Sequence, residues 1–345
     1  MKHRFGQHDT QPTVIPDHGG NLAAIMVRFP DAPRPWYDLS TGINPWPYPV
    51  PRLPLDSWSR LPDADTAAAL RAAAAEAYGV PDPECVVAAP GSQALIQLLP
   101  RLRPPSRVAV LGPTYAEHAL CWRAAGHAVI ELDAISGLEA PDIDVAVVVN
   151  PNNPDGRQHS PVTLCRLAEG LAARRGWLVV DEAFGEVVPE LSMAGATDTP
   201  GLIVLRSFGK FFGLAGLRLG FALTAPALAA RVRAAVGPWA VSGPACALAP
   251  LALADVDWID TTRARLTAAA EELDHLLSVN GLEVVGGTSL FRLGRSQHAA
   301  AVFTALAKAG VVVRRFDRHP HWLRFGLPPD SLARTRMERV LARLS

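Results

Sequence analysis

The sequence predicts an α/β protein: a large domain with a mainly parallel, seven-stranded sheet between helices, followed by a smaller α+β domain. Seven short runs of apolar, strand-forming residues recur between residues 86 and 223, and helical stretches separate several of them. After Ala225 the pattern changes to helices and then to short strands. Continuous Val, Ile and Leu strands between helices are typical of a parallel sheet that is covered on both faces.

The individual elements follow from local composition. Residues 1–60 are proline-rich and irregular, and such an arm must pack on other segments to be ordered. An alanine-rich helix runs from Asp65 to about Tyr78, where Gly79 ends it. The seven strands are predicted at 86–89, 107–111, 127–131, 143–149, 177–181, 202–206 and 219–223, with helices at 92–102, 115–125 and 161–175. The smaller domain is predicted to contain a helix at about 257–279, strands at 282–285, 288–293, 311–314 and 321–326, and a final helix at 330–344.

This order predicts three parts of the chain. They are an N-terminal arm (1–60) that joins the small domain and the substrate site, a large domain (61–235), and an interdomain helix with the small C-terminal domain (236–345).

The overall composition excludes several classes of protein. Hydrophobic residues make up 49% and the formal net charge is zero, so nothing indicates a nucleic-acid or membrane partner. The polar N-terminus has no apolar signal segment, and the longest strand-like apolar run, Val145–Val149, is too short to span a bilayer. The four cysteines show no metal-ligand spacing. We therefore expect a cytoplasmic protein without a metal site.

A lysine in a glycine-rich apolar segment is the most informative feature. Lys210 is the one lysine between Ser207 and Gly220, directly after a predicted strand. Burial disfavours an ammonium, and a neutral amine is the form that attacks an aldehyde. Ser207 and Arg218 nearby are residue types that bind phosphate well. An ordinary surface lysine in a glycine loop is the alternative.

Other polar residues stand where predicted strands end. Gly91-Ser92-Gln93 open a helix, where backbone N–H groups favour a phosphate, although Ser92 could equally be a simple helix cap. Asn150–Gly156 follow a strand and could be ordinary turn residues. Asp181 ends a strand, where a buried carboxylate needs a partner, in a structural ion pair or in a site.

Together these segments resemble the class I/II aminotransferase superfamily, the fold-type I enzymes that use pyridoxal 5′-phosphate (PLP). Asn150–Gly156 is similar to the family signature N-P-x-N-P-T-G, with Asp155 in place of threonine, and Asp181–Phe184 is similar to D-E-A-Y. The matching positions run from about residue 17 to 326. The resemblance implies a fold-type I enzyme whose large domain binds PLP, and a homodimer.

The resemblance also implies a role for each residue of the cofactor site. Lys210 would bind PLP covalently, Asp181 would pair with the pyridine nitrogen, and Asn153 would hydrogen-bond the phenolic oxygen. The phosphate would be held by Gly91, Ser92, Gln93, Ser207 and Arg218, and Tyr115 would stack on the ring. Phe184 and Leu61 depart from the family, which commonly has tyrosine at both positions.

Within the superfamily, Asp17–Asn21, Ser40–Pro45 and Asp181–Phe184 resemble the branch of cobalamin biosynthesis that includes L-threonine-O-3-phosphate decarboxylases. That branch implies a carboxy-lyase that converts L-threonine O-3-phosphate into (R)-1-aminopropan-2-ol O-2-phosphate, with Lys210 and Asp181 as catalytic residues. The main alternative is a histidinol-phosphate-type aminotransferase, and a non-catalytic binding protein is a third hypothesis.

A phosphorylated amino-acid substrate implies two sets of anion-binding residues. Arg324, on a short apolar strand, would bind the α-carboxylate, because the arginine fork suits a carboxylate. Arg314 would bind the substrate phosphate, with Arg315 and Arg318 as alternatives. The resemblance further implies that His18, Gly19, Gly20 and Asn44 bind the phosphate or the carboxylate, although His18 could also be an exposed histidine in a turn.

Overall fold

The computed structural model of the protein describes residues 18–344. In this range the helices are α1 Leu22–Arg28, α2 Asp56–Ser59, α3 Ala64–Tyr78, α4 Ser92–Leu98, α5 Glu117–Ala124, α6 Pro161–Ala172, α7 Phe208–Phe211, α8 Pro226–Val236, α9 Gly243–Ala254, α10 Val256–Val279, α11 Ala299–Lys308 and α12 Ser331–Leu341. The strands are β1 Tyr37–Asp38, β2 Val86–Ala89, β3 Arg107–Leu111, β4 Ala128–Leu132, β5 Val145–Val149, β6 Trp177–Glu182, β7 Leu202–Ser207, β8 Gly220–Thr224, β9 Glu283–Thr288, β10 Phe291–Arg295, β11 Val311–Val312, β12 Arg314–Arg315 and β13 Trp322–Gly326.

A seven-stranded sheet lies at the centre of the fold, in the order β2-β8-β7-β6-β5-β3-β4. All neighbouring pairs are parallel except those that involve β8. Every residue of β5 is buried, and its side chains alternate between two cores: Ala146 packs on one face of the sheet and Val147 on the other. The predicted α/β fold with a mainly parallel, seven-stranded sheet is confirmed.

Element boundaries differ from the prediction where a local break intervenes. The helix predicted at 92–102 ends at Leu98 and continues as a tighter 3₁₀ turn, because Pro100 lacks the N–H that an α-helix needs. The strand predicted at 311–314 is divided at Val313, since β11 pairs with β1 whereas β12 pairs with β13.

The C-terminal part contains a four-stranded antiparallel sheet in the order β12-β13-β10-β9. The N-terminal segment joins this part of the chain, because Tyr37 and Asp38 pair with Val311 and Val312. Asp17 and the rest of the arm before it lie outside the described residues. The division of the chain at residues 60 and 235 stays a prediction.

The central sheet determines where a ligand can bind. Strands β2, β3, β5, β6 and β7 run in the same direction, so their carboxyl ends meet at one edge. In open α/β sheets ligands bind at this edge. In the range 18–344, none of the helices combines the length and the apolar character that crossing a bilayer requires.

Candidate active site

Lys210 lies in the short helix α7, which follows directly from β7 at the carboxyl edge of the sheet. Its surroundings lower the pKa of its amine to about 8: loss of hydration is the main cause, Arg324 and Arg218 add to it, and Asp181 opposes it. The Nζ atom lies 6.0 Å from the centre of the Phe184 ring. The amine is therefore easier to deprotonate than a surface lysine.

A compact anion-binding corner forms beside this lysine. Gly220 stands opposite Ser207 in the β7–β8 ladder, and a Cβ atom on Gly220 would lie only 2.3 Å from the backbone nitrogen of Ser92. A Cβ atom on Gly91 would lie 2.7 Å from the Nη2 atom of Arg218, so the Arg218 guanidinium lies directly against Gly91. Backbone N–H groups, a hydroxyl and a guanidinium thus converge at the start of α4, as phosphate binding requires.

Asp181 is 3% exposed at the end of β6, and both of its carboxylate oxygens have partners. Its Oδ2 atom lies 2.8 Å from Nε2 of His118, and its Oδ1 atom accepts a hydrogen bond of 3.0 Å from the Ala183 N–H. His118 is also buried. His118 is not among the residues predicted from the sequence. Its position three residues after Tyr115 was the available signal.

Tyr115 begins a chain of hydrogen bonds along one side of the site. Its hydroxyl donates to Oε1 of Gln93 at 3.0 Å, and Nε2 of Gln93 donates to Oε2 of Glu117 at 3.0 Å. The other oxygen of Glu117 lies 2.8 Å from Nε2 of His18. Burial raises the pKa of Tyr115, so its hydroxyl stays neutral. The Gln93 side chain is therefore engaged by Tyr115 and Glu117, and Glu117 is a second residue that the sequence did not reveal.

Arg324 is a buried cation with an incomplete set of partners. It is 7% exposed, donates through Nη1 to Oδ1 of Asn153 and through Nη2 to the Ser40 carbonyl at 2.8 Å, and its buried Nε has no partner. Burial and, next, the charge of Arg314 lower its pKa to about 10. No carboxylate in the range 18–344 forms an ion pair with it. Since an unpaired buried charge is costly, this guanidinium fits a ligand carboxylate.

The three candidate phosphate-binding arginines lie in different places. Arg314 is directly opposite Arg324 in the β12–β13 ladder, so both side chains leave the sheet on the same face. Arg315 points the other way, with its guanidinium 5.2 Å from the centre of the Phe303 ring. Arg318 is 80% exposed and lies 3.9 Å from Glu131. The structure therefore brings Arg314, and neither alternative, beside Arg324.

The arm segment around Gly19 and Gly20 packs on Ser40. A Cβ atom on Gly19 would lie 2.3 Å from the Ser40 carbonyl oxygen, and the Gly20 N–H donates to the Ser40 hydroxyl at 2.8 Å. The same Ser40 carbonyl accepts from Arg324, so the arm reaches the arginine that would bind the carboxylate.

Asn44 joins the arm to the segment that carries Lys210. It is 2% exposed, its amide donates to the Phe211 carbonyl at 2.8 Å, and its side-chain oxygen accepts from the Trp46 N–H at 2.9 Å. Its backbone N–H also donates to the Lys210 carbonyl at 2.9 Å. Asn44 therefore holds the arm against α7, and its binding of substrate stays a prediction.

The loop 150–157 is held tightly against β9. Asp155, in place of the usual threonine, accepts through Oδ1 from Asn152 at 2.7 Å and from the Arg157 N–H at 3.0 Å. Its carbonyl accepts from the Gly287 N–H at 2.9 Å, and a Cβ atom on Gly156 would lie 1.9 Å from the Gly287 carbonyl oxygen. The loop that carries Asn153 therefore touches β9 backbone to backbone.

These residues fit PLP. A neutral amine at Lys210 suits its aldehyde, the buried carboxylate of Asp181 suits its ring nitrogen, and the corner at Gly91 suits its phosphate. Tyr115 lies close to His118, with ring centres 6.1 Å apart, so an aromatic side chain stands beside Asp181. Phe184 packs edge-on against Phe291 at 5.0 Å and brings no hydroxyl to the site.

Comparison with known proteins agrees with this geometry. The family described as aminotransferase class I and II matches residues 52–344. The chain is 45% identical to a threonine-phosphate decarboxylase of Pseudomonas aeruginosa, over 94% of this chain and 97% of that protein, and 44% identical to a threonine-phosphate decarboxylase of a Sinorhizobium species, over 95% and 98%. Its fold is similar to the crystal structure of histidinol-phosphate aminotransferase from Sinorhizobium meliloti in complex with pyridoxal-5′-phosphate, with a TM-score of 0.79, 19% identity and 99% of each chain covered. The chain belongs to the class I and II aminotransferase family.

Proposed function

We propose that this protein is a PLP-dependent carboxy-lyase that converts L-threonine O-3-phosphate into (R)-1-aminopropan-2-ol O-2-phosphate in cobalamin biosynthesis. The observation that carries the proposal is the 45% identity to a threonine-phosphate decarboxylase over nearly the whole of both chains. The site supports it, because Arg314 and Arg324 lie side by side and suit a substrate with two anionic groups.

The substrate's carboxylate and phosphate would be bound by the two neighbouring arginines. Arg324 takes the carboxylate through its unpartnered Nε and its remaining N–H groups. Arg314 takes the phosphate, together with His18 and the backbone N–H of Gly19, whereas the N–H of Gly20 is already donated to the Ser40 hydroxyl. Holding both anionic groups would fix the orientation of the substrate's Cα, and this orientation would decide which bond to Cα breaks.

The protein's own groups then control charge and protons. PLP, when bound, supplies an electron sink that accepts the bonding pair of the departing carbon dioxide. Asp181 holds a proton at the pyridine nitrogen, and His118 keeps the carboxylate in position. Lys210 delivers the proton that replaces the carboxylate at Cα. The overall change is loss of carbon dioxide and gain of one proton, with no acceptor acid.

Arg324 is suited to a carboxylate that must leave. Asn153 and Ser40 already engage its two terminal nitrogens, so its fork is only partly available to the substrate. A carboxylate is thus held in place without the full stabilisation of an unshared bidentate pair, which would oppose its loss as carbon dioxide.

The test is an assay of the purified protein with PLP and L-threonine O-3-phosphate in the absence of any 2-oxo acid. We expect release of carbon dioxide and the phosphorylated amino alcohol, and no release from the Lys210→Ala variant. Amino transfer from histidinol phosphate to 2-oxoglutarate, with no carbon dioxide from threonine phosphate, would show an aminotransferase and reject the proposal.

We also propose a cytoplasmic homodimer. All four cysteines are unpaired, which suits a reducing compartment. Leu55, Trp58 and Leu61, in and beside α2, are 77%, 67% and 67% exposed. Trp239, 63% exposed, precedes α9, whose first residue lies against α2. Neighbouring exposed apolar side chains of this size favour an interface between two copies. Leu61 leaves that interface without the family's tyrosine.

A further inference from the structure

Glu117 occupies a central position between the N-terminal arm and the cofactor site. It is the first residue of α5, and its side chain is 16% exposed. Each of its carboxylate oxygens has its own strong partner: Oε1 lies 2.8 Å from His18 Nε2, and Oε2 accepts from Gln93 Nε2 at 3.0 Å. Gln93 in turn accepts from the Tyr115 hydroxyl at 3.0 Å. One carboxylate thus joins three residues that are far apart in the sequence.

The partners of Glu117 belong to two different functions. His18 starts the arm segment His18–Gly20, which packs on Ser40 and so reaches the Arg324 guanidinium. Gln93 lies in the first turn of α4, beside the anion-binding corner, and Tyr115 is the aromatic that lies beside His118 and Asp181. Through Glu117, the side chains that bind substrate are connected to those that seat the cofactor.

We propose that Glu117 is a positioning residue that couples docking of the arm segment to retention of PLP. The inference rests on the proposed function for the role of His18 toward substrate. When His18 is docked, the carboxylate is fixed and presents Oε2 to Gln93, which holds Tyr115. When the arm leaves, the carboxylate loses its partner and turns toward water, so Gln93 and Tyr115 are held less firmly. By linkage, PLP in its seat favours arm docking by the same factor.

The chemistry of the position distinguishes glutamate from glutamine. A carboxylate accepts on both oxygens, whereas an amide has one acceptor and one donor. In E117Q the amide oxygen still accepts from Gln93, but the amide nitrogen then faces His18 and the negative charge beside that ring is lost. E117Q should therefore loosen the arm and weaken PLP binding only through the arm, whereas E117A should also remove the acceptor of Gln93 and weaken PLP binding further. If Glu117 only stabilised α5, E117Q and E117A would not differ in their effects on arm docking and on PLP binding.

The experiment measures PLP dissociation and arm exposure without substrate. It uses the full chain as wild type, E117Q, E117A, H18A and H18A/E117A. PLP dissociation constants come from the visible absorbance during titration, and arm exposure from the rate of tryptic cleavage after the exposed Arg28. E117A should weaken PLP binding about tenfold, which is the effect of one lost charge-assisted hydrogen bond. H18A should weaken it severalfold, although His18 does not contact Gln93 or the anion-binding corner.

Non-additivity is the decisive result. H18A should weaken PLP binding less in E117A than in wild type, because the link through Glu117 is already broken and the direct ring contact between His18 and Tyr115, with centres 5.8 Å apart, remains. E117Q should accelerate cleavage, raise KM for threonine phosphate about tenfold and weaken PLP binding severalfold, as H18A does, with kcat within about twofold of wild type. E131Q, which alters a carboxylate paired with Arg123 at the surface, is the matched control and should behave like wild type.

Three outcomes would overturn the coupling: H18A without effect on PLP binding, the effects of H18A and E117A multiplying in the double variant, or E117Q matching wild type in cleavage. If wild type binds PLP but releases no carbon dioxide, the proposed reaction fails while the substrate-free measurements still decide the coupling.

Discussion

Lys210 and Arg324 are two cations in one poorly hydrated site, and the charge of Arg324 adds to burial in lowering the pKa of Lys210. The pKa of Lys210 falls to about 8 and that of Arg324 to about 10. Because the pKa of Lys210 is the lower of the two, the lysine loses its proton first as the pH rises, while the arginine stays charged. The cation that would bind the substrate carboxylate therefore also prepares the amine that captures the cofactor aldehyde.

This interaction predicts a pH dependence of PLP capture by the cofactor-free protein. A lowered lysine pKa means that the neutral amine, which reacts, appears above pH about 8 instead of above 10.5. The rate of PLP capture should therefore rise through pH about 8. In Arg324→Gln one repelling charge is removed, so the midpoint should move upward. A wild-type midpoint near that of an exposed lysine would contradict this account of the site.

The carboxylate-binding role of Arg324 gives a second prediction. Arg324→Gln removes the guanidinium from a buried position, where loss of a charge partner costs about 3–5 kcal/mol, or roughly two to three orders of magnitude in kcat/KM. PLP should still bind with the visible absorbance of wild type. Arg315→Gln, on the opposite face of the same strand pair, is the control and should retain full activity. Equal losses in both variants would mean that Arg324 has only a structural role.

Residues that stand in local motifs could be predicted from the sequence as site candidates, whereas residues that act through other residues could not. Lys210 and Asp181 stand in recognisable local motifs directly after strands. His118 and Glu117 have no such motif, because their partners Asp181 and His18 are 63 and 99 positions away in the sequence. Only the folded chain shows that they meet.

At the scale of elements, the anion-binding corner depends on how closely two backbones approach. Gly220 at the start of β8 leaves no room for a Cβ atom beside Ser92 at the start of α4. The apolar runs that form strands such as β5 and β6 could be read from the sequence, because these strands are buried along their length. The antiparallel direction of β8 and the division between β11 and β12 could not, since both depend on which strand each segment finds as its partner.

A third prediction concerns this approach. Gly220→Ala must displace the turn at Ser92 and with it the backbone N–H groups, so PLP should bind about tenfold more weakly, in line with overpacking costs of about 1–3 kcal/mol. Equilibrium dialysis with PLP measures the change. Gly216→Ala, in the same glycine-rich segment but with open space around its Cβ position, should bind PLP like wild type. Unchanged binding in Gly220→Ala would show that the close contact does not shape the corner.

At the scale of the whole molecule, three of the exposed large hydrophobic side chains, Leu55, Trp58 and Leu61, lie in and beside α2. The described part of the chain places Trp58 and Leu61 near the segment that enters α9. Burial of these side chains between two copies would remove apolar surface from water, which is favourable. Their exposure therefore favours association of two copies.

The fourth prediction tests that association. The double variant Trp58→Asp/Leu61→Asp introduces two charges into the proposed interface and should elute as a monomer, with a mass near 36.8 kDa by light scattering, whereas wild type should have twice the mass of the chain. Val279→Asp, which places a charge at an exposed apolar side chain far from α2 in the sequence, at the end of α10, should stay dimeric. A wild-type protein that is itself monomeric would remove the basis for the interface.

The backbone contact between the loop 150–157 and β9 has a mechanical consequence. The Gly156 and Gly287 backbones touch with no side chain between them, a hydrogen bond joins Gly287 to Asp155, and Asn153 in the same loop is bonded to Arg324. If the four-stranded sheet rotated, this backbone contact would be the point of rotation, and Asn153 would be displaced first. Any displacement of that sheet would therefore be transmitted to the hydrogen bond between Asn153 and the Arg324 guanidinium.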